Sequence, residues 1–287
     1  MLVVPFVTVC AVAPLLQGAM KSLRARLQGR PGPGVLQSYR DLAKLWSKEA
    51  LLPEGTSPIA VCAPGIVLGV ALTFVAALPV ARQTPALLDV VALAFLLGLG
   101  RFASALAALD TRSAFAGMAA SREMTFAALV EPALLIALLG GAVLGHGTSF
   151  AALLSAPFGP ASLLAFAAFF LVMLLETARV PLDTQETHYE LTMIHEGLSL
   201  EYAGWQLALV NYASQVRQLG FYVIAALLLF PGGGLVALVA AIVALAVAVT
   251  LVETAFAKLR LFEIPQVLTT AFILAATSVA LRVLGAA

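Results

Sequence analysis

Residues 160–204 read PASLLAFAAFFLVMLLETARVPLDTQETHYELTMIHEGLSLEYAG. The run 160–177 is apolar and long enough to span a membrane, and a further apolar run begins at 205. Between them, 176–204 gathers six of the chain's fifteen acids: Glu176, Asp183, Glu186, Glu190, Glu196 and Glu201. A chain that passes from apolar to acidic and back is threading a bilayer. Composition agrees, with 62% hydrophobic and 11% charged residues against about 25% charged in a soluble domain. With a mean hydropathy of +1.02, its outer surface must meet lipid. A net charge of +1 lacks the basic footprint of a nucleic-acid binder.

A helix crossing about 30 Å of hydrocarbon needs about 20 mostly apolar residues. Eight segments qualify: 2–20, 58–80, 87–109, 124–145, 160–177, 205–230, 235–255 and 266–285. Pro and Gly inside them are tolerated in lipid. The expected fold is all-α, a polytopic integral membrane protein of about eight transmembrane helices forming one domain over 1–287. Lys and Arg set its orientation. Lys21, Arg24, Arg26, Arg30, Arg40, Lys44 and Lys48 follow the first span, and Arg112, Arg122, Arg179, Lys258 and Arg260 fall on the same side. The opposite loops hold Arg82 and, near the C-terminus, Arg282. The basic side is expected to be cytoplasmic and both termini outside. No positive charge precedes the first apolar run, so it reads as an uncleaved helix. The segment 21–57 and the acidic loop 178–204 then share the cytoplasmic face.

Within 21–57, VLQSYRDLAKLWSKE (35–49) places Val35, Tyr39, Leu42 and Trp46 on one helical stripe. Such a helix either lies in the membrane interface or under a partner, or serves as a solvated connector. The preceding GRPGPG reads as an irregular turn.

Charges within spans are costly, at least ~2.5–3.5 kcal/mol each near mid-bilayer. Arg101 sits in the middle of the third span, Glu131 beside Pro132 in the fourth and Arg217 in the middle of the sixth; Glu176 and Glu253 lie near cytoplasmic ends. Either they form a line of titratable groups, burial raising and arginine lowering each carboxyl pKa, or they are ion pairs that lock helices. Glu186 and Glu190 share a helical face. His188 and His195, seven apart, read as hydrogen-bonded histidines rather than a metal pair. Cys10 and Cys62 are too few for an iron–sulfur cluster, which usually needs four thiolates. Hydrolase and phosphate-loop motifs are absent. The acidic loop is either a docking surface or the mouth of a proton route.

Three stretches carry a family resemblance. GRPGPGVLQSYRDLAKLWSKE (29–49) is similar to the first cytoplasmic loop of the membrane subunit that anchors the peripheral arm of respiratory complex I, with its R-x-G-P followed by Q, D, K and K-E. SREMTFAALVEP (121–132) is similar to the start of that subunit's helix with a buried Glu. ETARVPLDTQETHYEL (176–191) resembles E-T-x-R-x-P-F-D-x-x-E-x-x-x-E-L, and EYAG (201–204) its closing E-Y-S-G. Order and helix count agree, so the resemblance to this complex I membrane subunit 1 family covers most of the chain. Two departures matter. TMIHEGLSL (192–200) is longer than the quinone-reducing pattern, and His188 stands where that pattern has an acid. THYELTMIHEGLSLEYAG (187–204) resembles instead the hydrogenase-linked branch, which includes formate hydrogenlyase subunit 4 and the anchors of group 4 nickel–iron hydrogenases.

The resemblance implies an anchor subunit in a prokaryotic inner membrane, not an enzyme in isolation and binding no cofactor or metal itself. Soluble partners carrying Fe–S clusters and a nickel–iron centre would dock on its cytoplasmic side, beside antiporter-like membrane subunits. It implies Glu131, Glu176, Glu186, Glu190, Glu201 and Glu253 as a proton relay, with Arg101 and Arg217 as intramembrane charge partners. It implies Arg30, Asp41, Lys44, Lys48, Glu49, Arg179, Asp183, His188, His195 and Glu196 as docking-loop residues. Two other readings stand. One is the quinone-site subunit of a complex I-type NADH dehydrogenase. The other is a stand-alone transporter, which calls for paired Gly/Pro-broken helices that the sequence does not show.

Overall fold

The computed structural model describes residues 3–51, 53–79, 89–142, 148–150, 159–185, 192–230 and 234–284. Among them every regular element is helical. The α-helices are α1 (Val3–Leu27), α2 (Gln37–Trp46), α3 (Pro58–Ala77), α4 (Val90–Asp110), α5 (Ala114–Ala142), α6 (Pro160–Glu176), α7 (Gly204–Leu229), α8 (Leu235–Ala255) and α9 (Ile264–Val283). Short 3-10 turns occupy Glu196–Ser199 and Leu261–Glu263.

The long helices fall on the eight apolar segments. Six stretches are long and apolar enough to cross a membrane: Phe6–Leu27, Pro58–Ala77, Val90–Asp110, Ala114–Gly140, Leu235–Ala255 and Leu261–Val283. The other two long helices are α6, apolar but only 17 residues long, and α7, whose stretch 206–218 carries Gln206, Asn211, Gln215, Arg217 and Gln218. The largest boundary difference is in α5, which starts at Ala114 rather than 124. The charges of SREM read as loop from sequence. In the fold they are satisfied on the helix, Glu123 by Arg101 and Arg122 by the Met193 carbonyl.

Helix ends show the threading. The Asp110 carboxylate, closing α4, accepts from the Ser57 backbone N–H (2.8 Å) and hydroxyl (2.9 Å), which cap α3. At the opposite end the Val90 N–H donates to the Thr148 carbonyl at 3.0 Å, and Arg282 reaches Ser162 at 2.7 Å. Asp110 and Ser57 thus meet at one end of the bundle, and the starts of α4 and α6 lie toward the other.

Apolar side chains fill the bundle and also cover it. Phe74, Phe169 and Phe221 are fully buried, with ring centroids 5.4 and 5.9 Å from Phe221, within the range of favourable aromatic contact. Phe95 (75% exposed) and Val236 (84%) point outward, as a lipid-facing surface requires. The chain is an integral membrane protein. Helix α2 rests on α1 and α7, with Ser38 buried and the Tyr39 hydroxyl donating to the Ala11 carbonyl. Val35, Leu36 and Trp46 stay exposed, so its apolar edge is free to enter an interface.

Close approach of α3 and α7 depends on Gly220, where an added Cβ would lie 2.3 Å from the Phe74 ring. That ring has no room to retreat. Gly220→Ala is expected to destabilise the chain by about 1–3 kcal/mol through overpacking. Gly69→Ala, with open space around it, should be neutral or stabilising by up to about 1 kcal/mol. Thermal unfolding of the two variants in detergent micelles checks the contrast; equal midpoints would contradict it.

Candidate functional site

Three carboxylates converge on one guanidinium. Arg101, buried in α4, directs Nε to Glu123 (3.0 Å), Nη1 to Glu131 (2.6 Å) and Nη2 to Glu176. Glu123 and Glu131 come from α5, eight residues apart and so within one broad face of that helix. Gly98 of α4 makes room for Glu131, whose Oε1 lies 3.3 Å from the position a Cβ would take. Glu176 is the last residue of α6. Its Oε2 has no hydrogen-bond partner among the described residues. Glu123 and Glu176 are buried, whereas the Glu131 side chain is 48% exposed on the flank of the bundle.

The end of α6 decides which way the acidic loop turns. The Ala178 N–H donates to Leu175 O (2.9 Å) and the Arg179 N–H to Leu174 O (2.8 Å). Ala178 sits at φ +51°. This is a Schellman closure, and it sends Glu176 and Arg179, close in sequence, into different networks. Arg179 donates to Glu253 (3.0 Å), Gln17 (2.5 Å) and Gln218 (2.7 Å). Gln17 also donates to Gln185 at 2.5 Å, and Glu253 lies 3.9 Å from Arg24. The loop is thereby tied to α1, α7 and α8.

Asp183 joins the loop to the first network. Its Oδ2 accepts from the His195 backbone N–H and faces Nδ1 of the same residue, each at 3.1 Å, while Oδ1 takes Lys258 Nζ at 3.1 Å. A carboxylate only accepts, so the proton on this side of the ring belongs to Nδ1. Nε2 then faces Glu123 Oε2 at 3.6 Å. Burial by itself would raise the Asp183 pKa. The His195 hydrogen bond and charge, with Lys258, outweigh it and hold the pKa below the ordinary aspartate value. Burial would likewise depress the His195 pKa, but Glu123 and Asp183 raise it above the ordinary histidine value. Glu196 is pushed up to about 7 by burial and by the neighbouring Asp183.

A cavity of about 80 Å³ opens against these groups, with room for several waters. Arg101, Glu123, His195, Glu196, Asn211, Ser214 and Arg217 supply its polar lining, and α3 its apolar wall. Arg217 makes no direct ion pair among the described residues, though its charge reaches His195.

The expected site residues divide accordingly. Arg101, Glu131 and Glu176 meet; Glu253 belongs to the Arg179 network instead, and Glu201 stands half-buried in the loop. Arg30, Asp41, Lys44, Lys48 and Glu49 are exposed at the long-loop end. Arg179, Asp183 and His195, expected in the docking loops, turn their side chains inward. Glu186, His188 and Glu190 lie outside the described residues. Glu123, Lys258, Gln17 and Gln218 were not singled out from the sequence. Glu123 alone left a signal, lying in the quoted stretch 121–132 two turns before Glu131. Among the described residues no group of three or more His, Cys, Asp or Glu is placed to hold a metal.

The family model described as NADH dehydrogenase matches residues 1–284. The chain is 34% identical over 278 residues to formate hydrogenlyase subunit 4 of Escherichia coli K12, covering 90% of each chain. It is 33% identical over 217 residues to hydrogenase-4 component C of the same organism, covering 72% of this chain and 67% of that one. An NADH-quinone oxidoreductase subunit from Koribacter versatilis is 29% identical over 251 residues, covering 78% of this chain and 58% of that one. In fold, a chain of the membrane-bound sulfane sulfur reductase, an archaeal respiratory membrane complex, superposes with a TM-score of 0.82 over 98% of this chain and 97% of that one at 18% identity.

The Asp183–His195 contact has a defined pH window. A lowered aspartate pKa stabilises the fold above the unfolded value, about 3.9, and that contribution is lost as pH falls through the folded value. A raised histidine pKa stabilises it below about 6.5 and is lost as pH rises through the folded value. Amide exchange at residues 192–200, corrected for its intrinsic pH dependence, should be slowest between about pH 4 and 6.5. Asp183→Asn should flatten the profile.

Proposed function

Because the chain belongs to the NADH dehydrogenase family of membrane subunits, we propose that it is the anchor subunit of a formate hydrogenlyase-like, group 4 nickel–iron hydrogenase complex. In this reading eight helices cross a prokaryotic inner membrane, both chain ends lie outside, and the long-loop end faces the cytoplasm. Arg30, Asp41, Lys44, Lys48 and Glu49, exposed at that end, contact the soluble arm. Fe–S clusters and the nickel–iron centre reside on the partners. The inward-turned Arg179 and Asp183 hold the docking loop from beneath.

The observation that carries the relay part is the set of three carboxylates on Arg101. One guanidinium balances only one of them, so the group carries surplus negative charge. A proton therefore moves among them without creating a new buried charge. Buried Glu123 lines the cavity, Glu176 is buried behind Arg101, and half-exposed Glu131 reaches the flank of the bundle. A carboxylate facing hydrocarbon at mid-span costs at least ~2.5–3.5 kcal/mol, which favours an antiporter-like subunit packed over Glu131. Glu201, half-buried in the loop, extends the path toward the cytoplasm, and Glu186 and Glu190 are assigned to it by the family resemblance alone. Glu253, held by Arg179 and Arg24, serves the clamp rather than the path.

The alternative is the quinone-site subunit of a complex I-type dehydrogenase. Small-molecule pockets run to about 300–1,000 Å³, and the cavity of about 80 Å³ suits water better. Glu131→Gln in the assembled complex should leave subunit composition intact and reduce redox-coupled proton movement about tenfold or more. Unchanged coupling in a fully assembled variant would leave Glu131 a structural acid.

A further inference from the structure

We infer that His195 is the proton-transfer residue between the cavity and the buried carboxylates of Arg101. This rests on the relay reading for its physiological use, but its evidence is local geometry. The histidine is held at two points by an anchor that is itself fixed. Asp183 accepts from its backbone N–H and from Nδ1–H, each at 3.1 Å, and Lys258 fixes Asp183 at 3.1 Å. The tautomer is thereby set, and Nε2 is left as the titrating atom. Nε2 faces Glu123 Oε2 at 3.6 Å, a gap that a small ring swing closes or one water bridges. The other oxygen of Glu123 already contacts Arg101 at 3.0 Å. The imidazole also lines the cavity. Glu123 lines the same cavity, but its two oxygens face Arg101 and Nε2, so the ring is the route by which a cavity proton reaches it.

Charge balance supports the same direction of transfer. Around the ring, Asp183 from the loop is matched by Lys258. Glu123 and Glu131 from α5 and Glu176 from α6 exceed Arg101 of α4 by two negative charges. Arg217 of α7 supplies one compensating charge and an imidazolium the other; Glu196, Lys21 and Arg122 stand around the rim. If the imidazolium loses its proton to Glu123, the cluster's total charge is unchanged. If the proton leaves to bulk water, one buried negative charge is uncompensated, which is costly. The step is balanced: hydronium in the cavity gives its proton to Nε2, the Nε2–H bond then breaks, and an O–H bond forms at Glu123 Oε2. The ring returns to its neutral, Nδ1-protonated form.

The test uses the full chain in lipid nanodiscs. The chain has three histidines, His146, His188 and His195, so nitrogen NMR can assign each. His195 should be protonated at Nδ1 when neutral and titrate above an ordinary histidine; Glu123→Gln should move that titration down. After a pH drop, the infrared band of protonated carboxyl should rise about tenfold or more slowly in His195→Gln. In His195→Ala, added imidazole should restore the rate, a rescue that a purely structural role would not show. Unchanged carboxyl kinetics in His195→Gln, or a His195 titration indifferent to Glu123→Gln, overturns the inference. If the infrared result holds but Glu131→Gln leaves coupling intact in the complex, the histidine route stands and the relay reading fails. The opposite pair of results removes the histidine route alone.

Discussion

Arg101 lies buried in the middle of α4 with its charge intact. A guanidinium cannot be neutralised at physiological pH, so a fold that buries one mid-helix must bring carboxylates to it. Here the carboxylates arrive from two other helices, Glu123 and Glu131 from α5 and Glu176 from α6. Removing one partner from a buried ion pair typically costs about 3–5 kcal/mol. The relative rotation and depth of α4, α5 and α6 are therefore fixed by electrostatics as much as by packing. A three-to-one ratio of carboxylates to guanidinium does more than lock helices. It leaves surplus negative charge around one buried guanidinium, the feature on which the proposed relay rests.

The acidic loop follows from the same logic. Its acids look, in sequence, like a surface for something basic. In the fold, Asp183 turns inward to Lys258 and His195, and Arg179 turns inward to Glu253, Gln17 and Gln218. The loop closes the membrane bundle with buried polar contacts while exposed charges on 30–49 remain available to a partner. The two loops differ in this: 30–49 keeps its charges at the surface, while the acidic loop turns Arg179 and Asp183 inward. That arrangement suits a subunit whose relatives belong to respiratory membrane complexes.

Much of this was legible before the fold was known, for physical reasons. Apolar runs of spanning length have few alternatives in lipid, so the long helices fall where hydropathy put them. Arg101, Glu131 and Glu176 stood out because charges in apolar runs are expensive. Glu123 did not, because Arg122 and Ser121 beside it made the stretch read as loop; only the partner on α4 shows that the helix continues through it. His195 was read as a docking residue because sequence gives no sign of which side of a loop a side chain takes. The Schellman turn at Ala178, which separates Glu176 from Arg179, was equally invisible, since alanine does not advertise a left-handed cap as glycine does. The polar stripe of α7 became interpretable only once Arg179 and the cavity were seen against it.

The proposed role, anchoring a soluble hydrogenase arm to a membrane-embedded carboxylate cluster, stands or falls on the partners this chain keeps. The most direct measurement is co-purification from native membranes in mild detergent, with partners identified by mass spectrometry and nickel and iron assayed. A large nickel-containing subunit and iron–sulfur proteins should be retained with the chain. An NADH- or quinone-linked arm carrying iron without nickel, or a chain recovered alone under conditions that preserve other membrane complexes, would contradict it.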